Sequence, residues 1–475
     1  MSDSVYWYDY ETTGTNPATD RAIQFAAVRT DAELNTISTP LNLFCYPGND
    51  TVPNPEAILV TGISVLSIQQ QGLNEAAFIK KIHREFAIPG TCVCGYNSIR
   101  FDDEFTRNLL YRNFYDPYAR EWQSGNSRWD VIDLFRMAHA LRPDGFVWPV
   151  NDEGVPSFRL EALAAANGVG HEDAHDALSD VLATIGLTKK LRLAQPKLYS
   201  YLFGLRQKRE VVRQLYPLGK NAIVHVSSMY PAKQACLTLV LPLCVHPTNP
   251  NGVICFDLKK DPQDLIDLDP KELHRRIFTA REDLEDGQER IPLKTIHINR
   301  CPAIAPLSTL KGQEDRLEVQ VEQCVTNMKR LQRVSGIVEK IEAAFRLTNF
   351  EDTDNPDLML YQGDFFSSAD KQTMGEVRDA NPDDLSGFAM SFQDPRLPEM
   401  LFRYRARNFP KTLKEDEKER WDRYRQKIFA ETGQPDAQLS RIADLRQAGR
   451  GADCLDELES YLQQLKQGLT LSESG

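Results

Sequence analysis

The chain has 475 residues, more than a single hydrophobic core supports, so we expect two to four domains. With 41% hydrophobic and 26% charged residues it has the composition of a globular protein, and no apolar run approaches the length of a membrane span. The nine cysteines are odd in number and scattered, which argues against a disulfide framework and predicts reduced thiols in a cytoplasmic protein. The N-terminus lacks the charged region and apolar run of a secretory signal.

The net charge of −12 argues against nucleic acid as a partner held by an overall positive field. The charge is uneven, however, because residues 196–350 carry 23 Lys and Arg against 18 Asp and Glu. An acidic total with a locally basic region fits an enzyme that holds DNA in defined grooves.

The first predicted strand begins with the aromatic and β-branched residues 5–8 and leads into Asp9 and Glu11. Alternate side chains of a strand share a face, so these two carboxylates lie side by side. On a buried strand they repel each other and lose hydration, and bound divalent cations relieve both problems. Two such cations about 4 Å apart can brace the attacking and leaving oxygens of a phosphodiester cleavage. The alternative is an exposed edge strand whose acids face water.

Further apolar runs at 23–29, 41–45 and 91–96 predict strands, and helical spacing at 76–86 predicts a helix. Strands and helices alternate to about residue 190, which indicates an α/β domain over 1–190.

A second candidate acid follows the strand that ends near Gly95. A helix is predicted to begin near Phe101, which places Asp102 in its first turn, beyond the C-terminal end of a strand, where ligand sites of α/β sheets usually lie. Asp103 and Glu104 are adjacent, so the spacing alone leaves open which acid is a ligand. The alternative is that these acids only complement the helix dipole.

Residues 107–142 interleave aromatic and basic side chains, a pattern typical of single-stranded nucleic acid binding by base stacking and phosphate contacts. Part of the set belongs instead to a hydrophobic core, for which Phe114, Trp129 and Phe135 are the candidates. The predicted DNA-binding residues are Arg107, Tyr118, Trp122, Arg128, Arg136 and Arg142, with Arg107, Trp122 and Arg128 preferred.

Two His-x4-Asp pairs compete in the stretch 171–184, namely His171 with Asp176 and His175 with Asp180. Asp180 falls within the apolar stripe of a predicted helix, where an unpaired carboxylate is costly, whereas Asp176 is nearer the solvated start. We therefore favour Asp180 as a buried metal ligand and His175 as a base that takes a proton from water.

After residue 195 the pattern changes to short β runs with an inserted acidic helical piece at 261–286, which predicts a second domain over 196–349. Residues 351–356 read as a linker. Charged, helix-period patterns at 413–428 and 442–465 predict a mainly helical third domain over 352–470.

Taken together, Asp9-x-Glu11, Asp102 and His175-x4-Asp180 resemble the three motifs of the DEDDh 3′→5′ exonucleases, which have an RNase H-like fold. Longer strings resemble the bacterial exonuclease I family along the whole chain. They are the runs at 95–104, 126–130, 156–161, 174–177, 297–302 and 402–410.

The resemblance implies an α/β, RNase H-like exonuclease domain, an SH3-like β barrel and a helical C-terminal domain. It also implies a Mg²⁺-dependent enzyme, with Mn²⁺ as a possible substitute, that processively releases 5′-mononucleotides from the 3′ end of single-stranded DNA in repair and recombination. Asp9, Glu11, Asp102 and Asp180 would hold two ions, His175 would be the general base, and Glu11 and Arg159 would contact the 3′ end.

The resemblance implies a partner as well, the acidic C-terminal tail of single-stranded DNA-binding protein, for which Arg142 and Tyr201 are candidate contacts. We expect a monomer with no membrane association. An SH3-like barrel often binds peptides, but the locally basic charge favours one wall of a DNA groove. Alternatives are an RNA-trimming exoribonuclease with the same metal site, a non-catalytic single-strand binder and a proofreading subunit of a polymerase.

Overall fold

The computed structural model describes residues 4–170, 176–348 and 352–470, and the chain divides into two compact units. The first unit takes in the described residues of Met1–Ser127, His171–Leu182 and Asp352–Gly475. The second takes in those of Arg128–Gly170 and Ala183–Glu351. The first unit therefore joins the N-terminal α/β region to the C-terminal helices, which are far away in sequence.

Strands and helices alternate in the N-terminal part, in agreement with the α/β prediction. The strands are β1 (Ser4–Thr12), β2 (Ala22–Thr30), β3 (Leu41–Phe44), β4 (Thr91–Gly95) and β5 (Ser127–Asp130). The helices are α1 (Pro55–Thr61), α2 (Val65–Gln71), α3 (Glu75–Phe86), α4 (Asp102–Arg112), α5 (Ile132–Leu141), α6 (Leu160–Asn167) and α7 (Ala177–Ala194). Short 3₁₀ helices lie at Ser98–Arg100, Ala119–Glu121 and Gln123–Gly125.

The middle of the chain combines strands with helices at its two ends and one helical insertion. Its helices are α8 (Pro196–Gly204), α9 (Lys208–Leu215), α10 (Gln263–Asp267), α11 (Pro270–Phe278), α12 (Val321–Gln332) and α13 (Ile337–Arg346). Its strands are β6 (Ile223–Val226), β7 (Leu237–His246), β8 (Asn249–Asp257), β9 (Leu293–His297) and β10 (Ala303–Pro306). Short 3₁₀ helices lie at Ala232–Gln234, Arg281–Asp283 and Leu307–Leu310.

The C-terminal part is helical, as predicted. Its helices are α14 (Ser368–Asp379), α15 (Arg396–Asn408), α16 (Glu415–Thr432), α17 (Asp436–Gln447) and α18 (Asp453–Thr470), with 3₁₀ helices at Pro356–Tyr361, Pro382–Ser391 and Pro410–Thr412. The single helical pattern predicted over 442–465 is two helices in the structure. Gly449 separates them with a φ of +74°, a conformation that suits glycine and ends a helix.

The sheet of the first unit has β1 near its centre. The strand order is β3-β2-β1-β4, followed by β5, which begins at Ser127 where the first segment of the unit ends. β1 pairs antiparallel with β2 and parallel with β4. Tyr6, Tyr8 and Tyr10 on one face of β1 pack into an aromatic core with Phe25 and Phe86. The period of two therefore leaves Asp9 and Glu11 on the opposite face.

The C-terminal helices share a core with the N-terminal region. Apolar residues of α1 and α2, among them Ile58 and Val65, lie in one cluster with Leu455 and Leu462 of α18. Buried charges also connect the two regions, because Arg407 of α15 contacts Asp50 at 2.8 Å and Asp357 at 2.5 Å. Both parts of the first unit thus depend on contacts with the other.

The sheet of the second unit is antiparallel throughout, with the order β10-β6-β7-β8-β9. The helices α10 and α11 lie between β8 and β9 in sequence, within the acidic insertion predicted at 261–286. None of the helices in the described ranges combines the length and apolarity that a bilayer crossing requires.

Replacing Arg407 by Met should cost up to about 3–5 kcal/mol of unfolding free energy, because Asp50 and Asp357 lose the partner they share. Asp50 is then left with Arg21 at 3.8 Å, and Asp357 with Arg403 at 3.0 Å. The matched control is Arg446→Met in α17, where an exposed arginine contacts Glu459 at 2.7 Å and a loss of at most about 1 kcal/mol is expected. Denaturant unfolding measures both values. Equal losses in the two variants would contradict the role of the buried pairs.

His83 should make the first unit less stable in acid. Burial, aided by Arg378 and Arg120, lowers the pKa of His83 from 6.5 to about 4. The unfolded chain therefore takes up a proton first as the pH falls, so the stability contributed by neutral His83 is complete above pH 6.5 and is lost toward pH 4. His83→Phe retains a ring against Tyr115 but cannot titrate. Urea unfolding from pH 7 to 4.5 should show a shallower decline for this variant, and an unchanged slope would refute the assignment.

Candidate active site

Three acids converge on the face of β1 opposite its aromatic core. One carboxylate oxygen from each of Asp9, Glu11 and Asp180 lies within 4.8 Å of the other two. Asp9 and Glu11 come from alternate positions of the central strand, as predicted from their spacing. Asp180 comes from the first turn of α7, in the part of that helix that belongs to the first unit.

Asp176 and Asp180, the two acids near the start of α7, make different contacts. Asp176 precedes the helix, and its Oδ2 accepts the Ser179 N–H at 3.1 Å, which is an N-cap contact. Its Oδ1 accepts the Nε2 amide of Gln24 at 2.9 Å. The acid that joins Asp9 and Glu11 is therefore Asp180, the one favoured from the sequence. His171 and His175 lie outside the described residues.

Asp102 reaches β1 from the start of α4. It is the first residue of α4, and its Oδ1 accepts the Tyr10 N–H at 3.1 Å. The parallel pairing of β1 with β4 extends only to Trp7 and Cys94, so Tyr10 lies beyond the last paired residue and Asp102 supplies an acceptor there. This bond holds Asp102 beside the residue that separates Asp9 from Glu11.

The neighbours of Asp102 serve other contacts, which favours Asp102 among the three acids that the sequence left open. Asp103 accepts the Tyr8 hydroxyl at 2.8 Å and Nη2 of Arg120 at 2.6 Å, and it is buried. Glu104 pairs with Arg107 at 3.0 Å and accepts the Tyr361 hydroxyl. Asp102 is thus the acid of this turn whose charge acts on Asp9 and Glu11.

The crowding of negative charge raises the pKa values of Asp9 and Glu11. Burial, followed by the charges of Asp102, Glu11, Asp180 and Asp176, raises the pKa of Asp9 well above its ordinary value. Burial and the charges of Asp180, Asp102 and Asp176 raise the pKa of Glu11 to about 8. Carboxylates that are costly to ionise together, and that offer only oxygen donors, fit a hard divalent cation.

The remaining predicted residues of the first unit differ in exposure. Arg107 is only 4% exposed, and its guanidinium forms two bonds with Glu121 at 2.8 and 3.0 Å in addition to the pair with Glu104. Tyr118 lies beneath that guanidinium and donates to the Leu360 carbonyl at 3.4 Å. Trp122 is 68% exposed. The pairs of Arg107 use the donors that a phosphate contact would need, whereas Trp122 offers an open ring.

The predicted arginines of the second unit have partners within that unit. Arg128 donates to the Asn299 carbonyl at 3.1 Å, Arg136 to Asp133 at 2.6 Å and Arg142 to the Thr309 carbonyl at 3.2 Å. Arg159 is exposed and immediately precedes α6. Phe114, Trp129 and Phe135 are buried, as the core alternative anticipated.

Sequence reasoning missed the groups that hold the acids in place. Gln24 is a buried amide inside the apolar run 23–28, and a lone polar residue in such a run is a signal that could have been read. Arg120 was indistinguishable from its basic neighbours, because sequence does not show that it is buried against Asp103 and the Phe86 ring.

Family models match three consecutive parts of the chain. The family described as Exonuclease matches residues 6–188, the Exonuclease I SH3-like domain matches 206–347, and the Exonuclease I C-terminal domain matches 354–465. This order confirms the predicted arrangement of an RNase H-like exonuclease domain, an SH3-like domain and a mainly helical C-terminal domain.

Known proteins are similar over nearly the whole length. Exodeoxyribonuclease I of Escherichia coli is 46% identical over 431 residues, which cover 90% of each chain. The structure of an exonuclease I from Methylocaldum szegediense has a TM-score of 0.92 at 47% identity, covering 98% of this chain and 99% of the other. The zinc-bound form of an E. coli exonuclease I complex with single-stranded DNA has a TM-score of 0.93 at 42% identity, covering 99% and 100%.

The acids at the centre of the first sheet, the three matched domains and the full-length relatives agree with one another. The chain belongs to the exonuclease I family of exodeoxyribonucleases.

Proposed function

We propose that the chain removes 5′-mononucleotides one after another from the 3′ end of single-stranded DNA. The observation that carries this proposal is the convergence of Asp9, Glu11 and Asp180 within 4.8 Å on a central strand. The related E. coli enzyme, captured with single-stranded DNA and with a zinc ion, supports both the substrate and the binding of a divalent metal.

The residues that would hold metal are Asp9, Glu11 and Asp180, together with Asp102 beside β1. We assign two Mg²⁺ ions, for which Mn²⁺ can substitute, because carboxylate oxygens are the donors that these hard cations prefer. When bound, such ions supply an activated water and neutralise the charge that develops on the phosphate and the departing 3′ oxygen.

The chain itself orients the reacting groups and moves protons. Asp9 and Glu11 are paired with Ala26 and Gln24 of β2, and the residue between them bonds to Asp102, so their carboxylates are held in place before substrate binds. His175 takes a proton from the attacking water at an imidazole nitrogen. Glu11 and Arg159 contact the terminal nucleotide, and the exposed ring of Trp122, together with Tyr118, offers stacking for bases farther from the 3′ end.

Several wider features belong to the same proposal. We propose a monomer that digests processively in the cytoplasm and acts in DNA repair and recombination. The partner would be the acidic tail of single-stranded DNA-binding protein, with Arg142 and Tyr201 as contacts. Both polar ends already bond to backbone carbonyls, of Thr309 and Ile304, so a tail would rest mainly on the remaining guanidinium donors and the tyrosine ring.

Arg107, Arg128, Arg136 and Arg142 remain part of the proposal as DNA-binding residues. Arg107 and Arg128 already bond to partners within the protein. Direct bonds from these two side chains to phosphate are therefore less favoured than base stacking on Trp122.

End-labelled single-stranded DNA should be shortened from its 3′ end with Mg²⁺ or Mn²⁺ and remain intact with chelator, while duplex DNA resists. Asp180→Asn should lower turnover by at least about 100-fold, because changes in groups that merely support metal ligands already cost about 10–100-fold. The control Glu415→Gln neutralises an exposed acid of α16 and should leave the rate unchanged. Gel analysis of a time course provides the measurement. Full activity in chelator would refute the metal site, and equal digestion of matched RNA would favour the exoribonuclease alternative.

His175→Ala should reduce turnover by about 10²–10⁴-fold, the usual contribution of general acid–base catalysis, while single-stranded DNA still binds. Single-turnover rates give the first quantity, and fluorescence anisotropy in chelator gives the second. A variant that cleaves at the wild-type rate would show that another group accepts the proton.

A further inference from the structure

A buried amide lies next to the acids without belonging to them. Gln24 of β2 is the direct cross-strand partner of Glu11, so the two side chains share a face of the sheet. Gln24 is only 1% exposed. Its Nε2 donates to Oδ1 of Asp176 at 2.9 Å and to Oδ1 of Asn42 at 3.1 Å. The amide thus ties the central sheet to the residue that precedes α7.

Asp176 uses its three oxygens for three separate contacts. Oδ1 accepts from Gln24, Oδ2 accepts the Ser179 N–H at 3.1 Å, and the main-chain carbonyl accepts the Asp180 N–H at 3.1 Å. The last two contacts fix the first turn of α7. The first contact fixes where that turn lies on the sheet.

Asp180 is one helical turn beyond this anchor. Residues four apart lie on the same side of a helix, so the side of α7 that meets β2 through Asp176 also presents Asp180 toward β1. The bond from Gln24 therefore lies one turn from the metal ligand, on the side of α7 that faces the sheet. Placement errors of about 1 Å at such ligands are sufficient to impair function.

An apolar residue at position 24 would match the buried run 23–28 without needing a partner. The buried amide instead needs acceptors, and Asn42 and Asp176 supply them, the second from the residue that precedes α7. The hydrogen bond between Gln24 and Asp176 is directional and therefore favours one placement of the start of α7 on the sheet. Apolar packing has no such directional preference.

We propose that Gln24 and Asp176 form a positioning pair that sets Asp180 at the correct distance from Asp9 and Glu11 to bind the divalent cation. This inference rests on the proposed function, because it concerns the metal of that same site. Neither residue needs to touch the metal or the DNA, and the pair acts through Asp180.

The test measures Mn²⁺ binding by calorimetry without DNA, so that its readout does not depend on turnover. Gln24→Met keeps the length of the side chain and the charge of the site but removes the donor, and it should weaken Mn²⁺ binding about 10–100-fold. Turnover should recover as Mn²⁺ is raised, the KM for DNA at saturating Mn²⁺ should stay at the wild-type value, and thermal unfolding in chelator should show a folded chain.

Asp176→Ser supplies a second variant, in which serine still caps a helix but does not reach Gln24, and the charge that Asp176 exerts on Asp9 and Glu11 is lost as well. It should also weaken Mn²⁺ binding, and adding Gln24→Met to it should produce no further loss if the two residues act through their mutual bond. The matched control is Asp269→Ser. Asp269 caps α11 through the N–H groups of Lys271 and Glu272 at 2.8 and 3.0 Å, and its replacement should leave Mn²⁺ affinity unchanged.

The outcomes separate the inference from the proposed function. Wild-type chain that binds no Mn²⁺ would overturn both. Wild-type binding that is lost in Asp180→Asn but retained in Gln24→Met would overturn the positioning pair alone, and so would independent, additive losses in the double variant. If Gln24→Met does not fold, unchanged Mn²⁺ affinity in Asp176→Ser would still refute the pair.

Discussion

Mutual repulsion among carboxylates held in a poorly hydrated place is the constraint on which the rest of the first unit depends. Asp9, Glu11 and Asp180 lie within 4.8 Å of one another, and the charge of Asp102 adds to the field that they share. Left to itself, such a cluster would spread apart or take up protons. The acids stay close together because β1, α4 and α7, which carry them, are fixed by hydrogen bonds to residues outside the cluster.

Helices α4 and α7 each have acids with different roles in or just before the first turn. At α4, Asp103 bonds to Tyr8 and Arg120, and this leaves Asp102 beside β1. At α7, Asp176 bonds to Gln24 and to the helix backbone, and Asp180 joins the cluster. Adjacent acids in the sequence are thus not interchangeable. One of each set anchors the helix, and another provides charge to the site.

Much of this arrangement followed from local patterns. The spacing of Asp9 and Glu11 predicts a shared face because a strand has a period of two. The apolar stripe around Asp180 predicts a buried carboxylate, but in the structure Asp180 is only partly buried. The choice among Asp102, Asp103 and Glu104 stayed open, because it depends on Arg120, Tyr8 and Arg107, whose approach is set by tertiary contacts. The basic and aromatic stretch was harder still. Composition does not distinguish Arg107, which is buried in ion pairs, from Trp122, which is exposed.

The packing of α1 and α2 against α18 affects how the protein folds during its synthesis. Ile58 and Val65 share a cluster with Leu455 and Leu462, so their burial awaits a segment synthesised some 400 residues later. At about 5–20 residues per second, a ribosome needs roughly 20–80 s to cover that interval. During this time the nascent chain presents an uncovered apolar surface, the kind of surface that chaperones bind. The core of the first unit therefore closes only after α18 has been synthesised, and a chain that stopped before α18 would have its nuclease sheet without this supporting core.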